Sequence, residues 1–193
     1  MRRQTDGSFV GNCLVISITL AISLLIAFVA IRVPGFVPAE FLRHRRAKLF
    51  SLALALLAGI AIGGLGVTIA CSALQPGAGE PRQHFTTTFF GAFNLLTTWI
   101  VQPAILEEIG FRGYLLPRLH RRYGVLAAIL LSTLAFVAFH AYPVPSNTSL
   151  WFAGTAGIAF GSLAVVTRSI WPAVLAHFVS NALVMVLALR LCN

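Results

Sequence analysis

Acid is what this chain has least of. Five of its 193 residues are Asp or Glu, against 14 Lys or Arg, for a formal net charge of +9. Charged residues make up 10% of the chain, where ordinary soluble domains carry about 25%. With 58% hydrophobic residues, that scarcity excludes a soluble globular domain and describes an integral membrane protein. Cysteine is scarce as well. Cys13, Cys71 and Cys192 are odd in number, show no CxxC spacing and lie in or beside apolar segments, so they read as apolar filler and not as a disulfide or metal framework. Aromatic platforms are missing from the basic clusters, which lie at the ends of apolar runs, so nucleic acid is excluded as a partner. No repeat, linker or composition shift divides the chain, and residues 1–193 read as a single integral membrane domain.

What is present is a series of apolar stretches. A spanning helix needs about 20 apolar residues, and six stretches qualify: 10–31, 49–74, 85–106, 125–142, 150–166 and 170–189. The expected fold is an all-α polytopic transmembrane helix bundle of about six spanning helices. The first stretch follows Arg2 and Arg3 as a signal peptide would, but its apolar run is too long and no small-residue cleavage site stands out, so it reads as a retained helix. The basic residues set an orientation. Arg32, Arg43, Arg45, Arg46 and Lys48 follow the first span, Arg112, Arg118, Arg121 and Arg122 the third, and Arg168 the fifth. The other side receives only Arg2, Arg3, Arg82 and Arg190. This bias puts both termini outside and the arginine-rich loops in the cytoplasm. Thirteen Arg against one Lys, with abundant Ala, points to a bacterial cytoplasmic membrane. Gly59 with Gly63, and Gly157 with Gly161, stand at the GxxxG spacing that lets helix backbones approach closely.

Three polar constellations interrupt the apolar stretches, and polar groups at such places mark functional sites by default. Glu107 and Glu108 are adjacent, so on a helix they project about 100° apart and cannot share one role. Arg112 stands four residues after Glu108, the favourable order for a helical ion pair, which leaves Glu107 free to face elsewhere. Pro103 one turn before Glu107 and Gly110 after it would open space beside that carboxylate. Phe136 and His140 share one face of the fourth span, and His177 and Asn181 one face of the sixth. By helix rise His140 lies about 25 Å beyond Arg122, higher than Glu107, so tilt or a few non-helical residues after Arg122 must close the gap. The two meet only if the third helix runs on past the Glu pair.

Glu-Glu-x-x-x-Arg at 107–112, Phe-x-x-x-His at 136–140 and His-x-x-x-Asn at 177–181, with Phe111-Arg112-Gly113 and Ser169-Ile170-Trp171-Pro172-Ala173 flanking, occur in order on successive spans. This resembles the CPBP family of intramembrane proteases, which includes CAAX prenyl endopeptidases and bacterial bacteriocin-processing and abortive-infection proteins. The resemblance covers about residues 95–185, the expected catalytic core. It implies an intramembrane endopeptidase in which Glu107 is the general base helped by His140, and His177 and Asn181 stabilise the oxyanion. Glu108, Arg112 and Phe136 would support them. Glu107, His140 and His177 could instead ligate zinc, with water in the fourth position, but no HExxH occurs and Asn is a poor zinc ligand. The cofactor is therefore zinc or none, with the metal-independent form preferred. The expected partners are the lipid bilayer and a protein or peptide substrate at the membrane. Two other functions fit the same residues: a non-enzymatic immunity or binding protein, and a small transporter relaying protons through Glu and His.

Overall fold

The computed structural model describes residues 49–73, 95–141 and 147–191, with isolated positions between 18 and 38. The expected first span and the two outer loops at 74–84 and 142–146 lie outside the described residues, apart from those isolated positions. Every regular element described is a helix, so the protein is all-α. The elements are α1 (Leu49–Ala73), a π-helical stretch (Leu95–Val101), α2 (Gln102–Glu108), a second π-helical stretch (Ile109–Leu115), α3 (Leu116–Tyr123), α4 (Val125–His140), α5 (Asn147–Thr167) and α6 (Trp171–Leu191).

Two helices, Leu49–Cys71 and Leu150–Thr167, are long and apolar enough to cross a membrane, and the apolar segments Val125–His140 and Trp171–Leu187 are shorter. The outer surface agrees with lipid exposure. Leu57, Leu126, Leu134 and Trp151 are 64%, 69%, 65% and 77% exposed, a density of outward apolar side chains that water would not tolerate. The core is made of small residues. Ala55, Ala153, Ala156, Ala164, Ala173 and Ala176 are buried, with Phe136 and Phe160 filling the space between them.

The small residues set the helix distances. A Cβ on Gly59 would stand 2.7 Å from the Ala176 carbonyl oxygen, and one on Gly63 2.9 Å from Leu183 Cβ. The stripe on α1 therefore brings its backbone against α6, the packing role expected of that spacing. A Cβ on Gly157 would meet Thr133 Cγ2 at 2.7 Å, which does the same for α5 and α4. These contacts also give directions. Positions 59, 63 and 66 meet successively later residues of α6, so α1 and α6 are parallel. Gly154, Gly157 and Gly161 meet Val137, Thr133 and Ile129, so α5 runs against α4. The alternation matches an up-and-down bundle; which side is cytoplasmic rests on the arginine bias.

The helix carrying the Glu pair does run on. Glu108 (φ −67°, ψ −35°), Ile109 (φ −62°, ψ −45°) and Leu116 (φ −56°, ψ −44°) are all right-handed helical, so the path from Leu95 to Tyr123 is unbroken. It reverses at Gly124, whose φ of 81° and ψ of 173° lie in a region open essentially to glycine alone. The pivot explains the depth mismatch. Glu107 lies seventeen residues before Gly124 and His140 sixteen after it, so each is about 25 Å along its own arm. The arms therefore bring the two side chains level.

Two readings are corrected. Arg112 stands with the loop arginines in the sequence, yet it is 1% exposed and belongs to the core, so Arg118, Arg121 and Arg122 alone carry the charge of that loop. Cys71 is disulfide-bonded and is not apolar filler. Spacing along the chain cannot report which thiols meet across helices; Cys13 and Cys192 lie outside the described residues.

Gly124→Ala is expected to lower stability by about 1–3 kcal/mol, the cost of forcing a Cβ into this conformation. Gly64→Ala, inside a helix with open space around it, serves as the control and should hold or slightly raise stability. Thermal unfolding in detergent micelles checks both.

Candidate active site

Glu108 is completely buried, and a buried carboxylate must be paired. Its Oε1 accepts from Arg112 Nη1 at 2.9 Å, the ion pair expected from the spacing, and also from His177 Nδ1 at 2.9 Å. Arg112 in turn donates from Nη2 to the Gly157 carbonyl at 3.2 Å and lies over the Phe136 ring at 4.5 Å. Glu108 is thus more than a structural partner of Arg112. It joins the helix of the Glu pair to α6, and Arg112 extends the link to α5.

The hydrogen bonds orient both histidines. A carbonyl only accepts, so the 2.9 Å contact between His140 Nδ1 and the Phe136 carbonyl puts a proton on Nδ1. The same holds for His177 Nδ1 on the Glu108 carboxylate. Each ring then turns Nε2 toward Glu107 Oε2, at 3.7 Å from His140 and 3.9 Å from His177. Ring packing locks these poses. Phe136 lies 4.3 Å from the His140 ring, and Phe160 stacks on His177 at 5.0 Å and 23°. Glu107 Oε2 itself is buried without a hydrogen-bond partner.

Asn181 is held from the other side. Its Nδ2 donates to the Trp99 carbonyl at 3.2 Å. Pro103 has no N–H to offer the carbonyl four residues earlier, and that carbonyl is Trp99's. The proline expected to open space beside Glu107 therefore also bares an acceptor for Asn181. The π-helical stretches on either side of α2 fit a helix distorted at its working segment.

Glu107, His140, His177 and Asn181 all line one cavity of about 760 Å³. Its remaining wall is mostly apolar, with Trp99, Phe136, Phe139, Phe152 and Phe160 contributing aromatic rings. This is a space for a greasy ligand with a few polar groups converging at one place. A smaller apolar groove between α2 and α6, beside Val101 and Trp171, offers no group capable of chemistry. Among the described residues, no group of three or more His, Cys, Asp or Glu side chains is gathered so as to hold a metal ion. Glu107, His140 and His177, the set considered for zinc, do not meet that condition.

All seven residues singled out in the sequence thus fall in one region. Four line the cavity by side chains that could act on a ligand, while Glu108, Arg112 and Phe136 hold them. Trp99 and Phe160 do not stand out in the sequence, and Gly157 does so only for close packing. For Trp99 the signal existed, in the proline four residues later; the other two act through a backbone carbonyl and a ring face, which no motif records.

The comparison with known families decides the identity. The model of the family described as Type II CAAX prenyl endopeptidase Rce1-like matches residues 82–183, more than half of the chain. The chain belongs to this family. No curated protein and no solved structure matches it. Family membership makes it a membrane-embedded protease of the CAAX type in general terms, acting on a protein or peptide. The matched segment contains the whole cavity-facing polar set and both arms of the hairpin that aligns Glu107 with His140.

Arg112→Leu is expected to cost about 3–5 kcal/mol, because it strands the Glu108 charge in the core. Adding Glu108→Leu should recover much of that loss, since a buried pair replaced whole is far less harmful than one broken. Denaturation of the single and double variants in the same detergent reads the difference.

Proposed function

We propose that the protein is an intramembrane endopeptidase that hydrolyses a peptide bond of a membrane-associated protein or peptide, with Glu107 as the water-activating base. The observation that carries this reading is the environment of Glu107 Oε2: buried, without a hydrogen-bond partner, on the cavity wall, and faced by two imidazole nitrogens at 3.7 and 3.9 Å. Separations of that size are too long for direct hydrogen bonds, and the three converging atoms suit one water that bridges them from the side. Glu107 takes its proton, His140 Nε2 helps to hold it, and the hydroxide attacks the scissile carbonyl.

The oxyanion that forms needs donors. One Asn181 amide hydrogen goes to Trp99 and the other is free for the cavity. His177 has already given Nδ1–H to Glu108, so it donates from Nε2 only when the ring carries both protons, and Glu108 is the partner such a cation needs. The proton on Glu107 then passes to the leaving amine. No step requires a metal.

The apolar, ring-lined cavity suits a hydrophobic segment or a lipid-modified peptide. In a bacterial membrane the fitting substrates are a leader peptide or a membrane-bound signalling peptide. Bacteriocin processing and abortive-infection roles fall within this class.

The test compares membrane peptidomes of cells carrying the wild type and Glu107→Gln at equal protein abundance. Defined peptides should accumulate only with the wild type. An immunity or binding role predicts function preserved in Glu107→Gln and no peptide difference. A proton relay predicts lost flux, again with no product.

Once a substrate peptide is in hand, Asn181→Ala should lower kcat by about 10²–10³-fold with little change in KM. Pro103→Ala restores a competitor for the Trp99 carbonyl and should cost about 10-fold, an effect that vanishes in the Asn181→Ala background. Activity should survive exhaustive chelation. Stoichiometric zinc lost together with activity would overturn the metal-free mechanism.

A further inference from the structure

Three arginines outside the cavity have no assigned task. Arg121 and Arg122 are exposed on α3, whose Leu116 and Pro117 turn inward, and Arg168 is exposed where α5 ends. Both places lie at the same end of the bundle, since Ile170, just past Arg168, packs with Leu116 at the start of α3 in one buried cluster.

None of the three makes an ion pair among the described residues. The carboxylates described there, Glu107 and Glu108, are inside the bundle, and Glu108 is committed to Arg112 and His177. Arg168 also sits at a φ of 50°, a left-handed conformation in which glycine or asparagine would be at ease and arginine is strained. Strain at an exposed helix end, where nothing in the packing demands arginine, points to its side chain.

The surroundings give the depth. Val166, two residues before Arg168, is 66% exposed, and Leu126, four residues after Arg122, is 69% exposed. Outward apolar side chains at nearly the same level as outward arginines mark the depth at which hydrocarbon meets headgroup. Tyr114 and Tyr123, exposed at 37% and 52%, are the interfacial aromatics such a boundary favours.

We propose that Arg121, Arg122 and Arg168 form a binding face for anionic phospholipid headgroups. Guanidinium groups hold phosphate oxygens through two parallel hydrogen bonds. A lipid supplies both halves of that boundary: a phosphate for the arginines and acyl chains for the apolar surface next to them. The claim does not depend on the proteolytic reading.

The test places the full chain in nanodiscs of phosphatidylcholine with 30% phosphatidylglycerol and measures retained lipid by native mass spectrometry. The wild type should retain the anionic lipid over the neutral one by about 10-fold, on the scale expected for a few basic groups at a membrane surface. The variant Arg121→Gln/Arg122→Gln/Arg168→Gln should retain both lipids nearly equally. Arg168→Gly, which relieves the strained φ, should be at least as heat-stable in neutral nanodiscs while losing part of the preference. A wild type with no preference, or a triple variant that keeps it, sinks the proposal. So does inorganic phosphate that displaces the retained lipid at millimolar concentration, since the face would then be a phosphate-ion site.

Discussion

A carboxylate removed from water needs partners, and the demand of Glu108, met twice on Oε1 while Oε2 has none, organises this protein. One oxygen receives both Arg112, a turn away on its own helix, and His177, on a helix sixty-nine positions later in the chain. Arg112 then reaches the α5 backbone at Gly157, where glycine lets α4 come close as well. A pair of charges that costs free energy to bury thus becomes the junction of three chain segments. The cost is offset only when every helix is in place, so the site and the fold stand or fall together.

Glu107 is the other half of the same device. Being one residue along, it projects away from the Arg112 side and into the cavity, where two histidines face it without closing to hydrogen-bond distance. Each histidine is held through Nδ1, His140 by the backbone and His177 by Glu108, so neither is free to turn away. On the far side Asn181 is fastened to a carbonyl that a proline has left without its usual donor. The polar groups are therefore oriented from behind, which leaves their cavity-facing atoms open to a ligand.

Much of this was legible along the chain. The all-α architecture followed from charge scarcity and run lengths, and the i, i+4 spacing foretold the Glu108–Arg112 pair. The three motifs picked out residues that line or support one cavity. Other parts were not legible, for reasons that are specific. The apparent mismatch in depth between Glu107 and His140 came from measuring each from an arginine, when the turning point is Gly124, the one glycine with a positive φ among the described residues. The inward position of Arg112 was hidden because its type is that of the loop arginines six and more residues on. The Cys71 disulfide depends on which thiols meet, not on their number.

The sequence by itself determined the class of the protein, the helices that compose it and the side chains available for chemistry, because hydropathy, charge and helical period act between near neighbours. Only the tertiary structure decided how those side chains are used. Which carboxylate is bound and which is left open, which nitrogen of each histidine faces the cavity, and what Asn181 grips all depend on atoms from distant helices. Buried polar groups take whatever partner the packing brings within three ångströms, and no spacing along one helix states who that partner is.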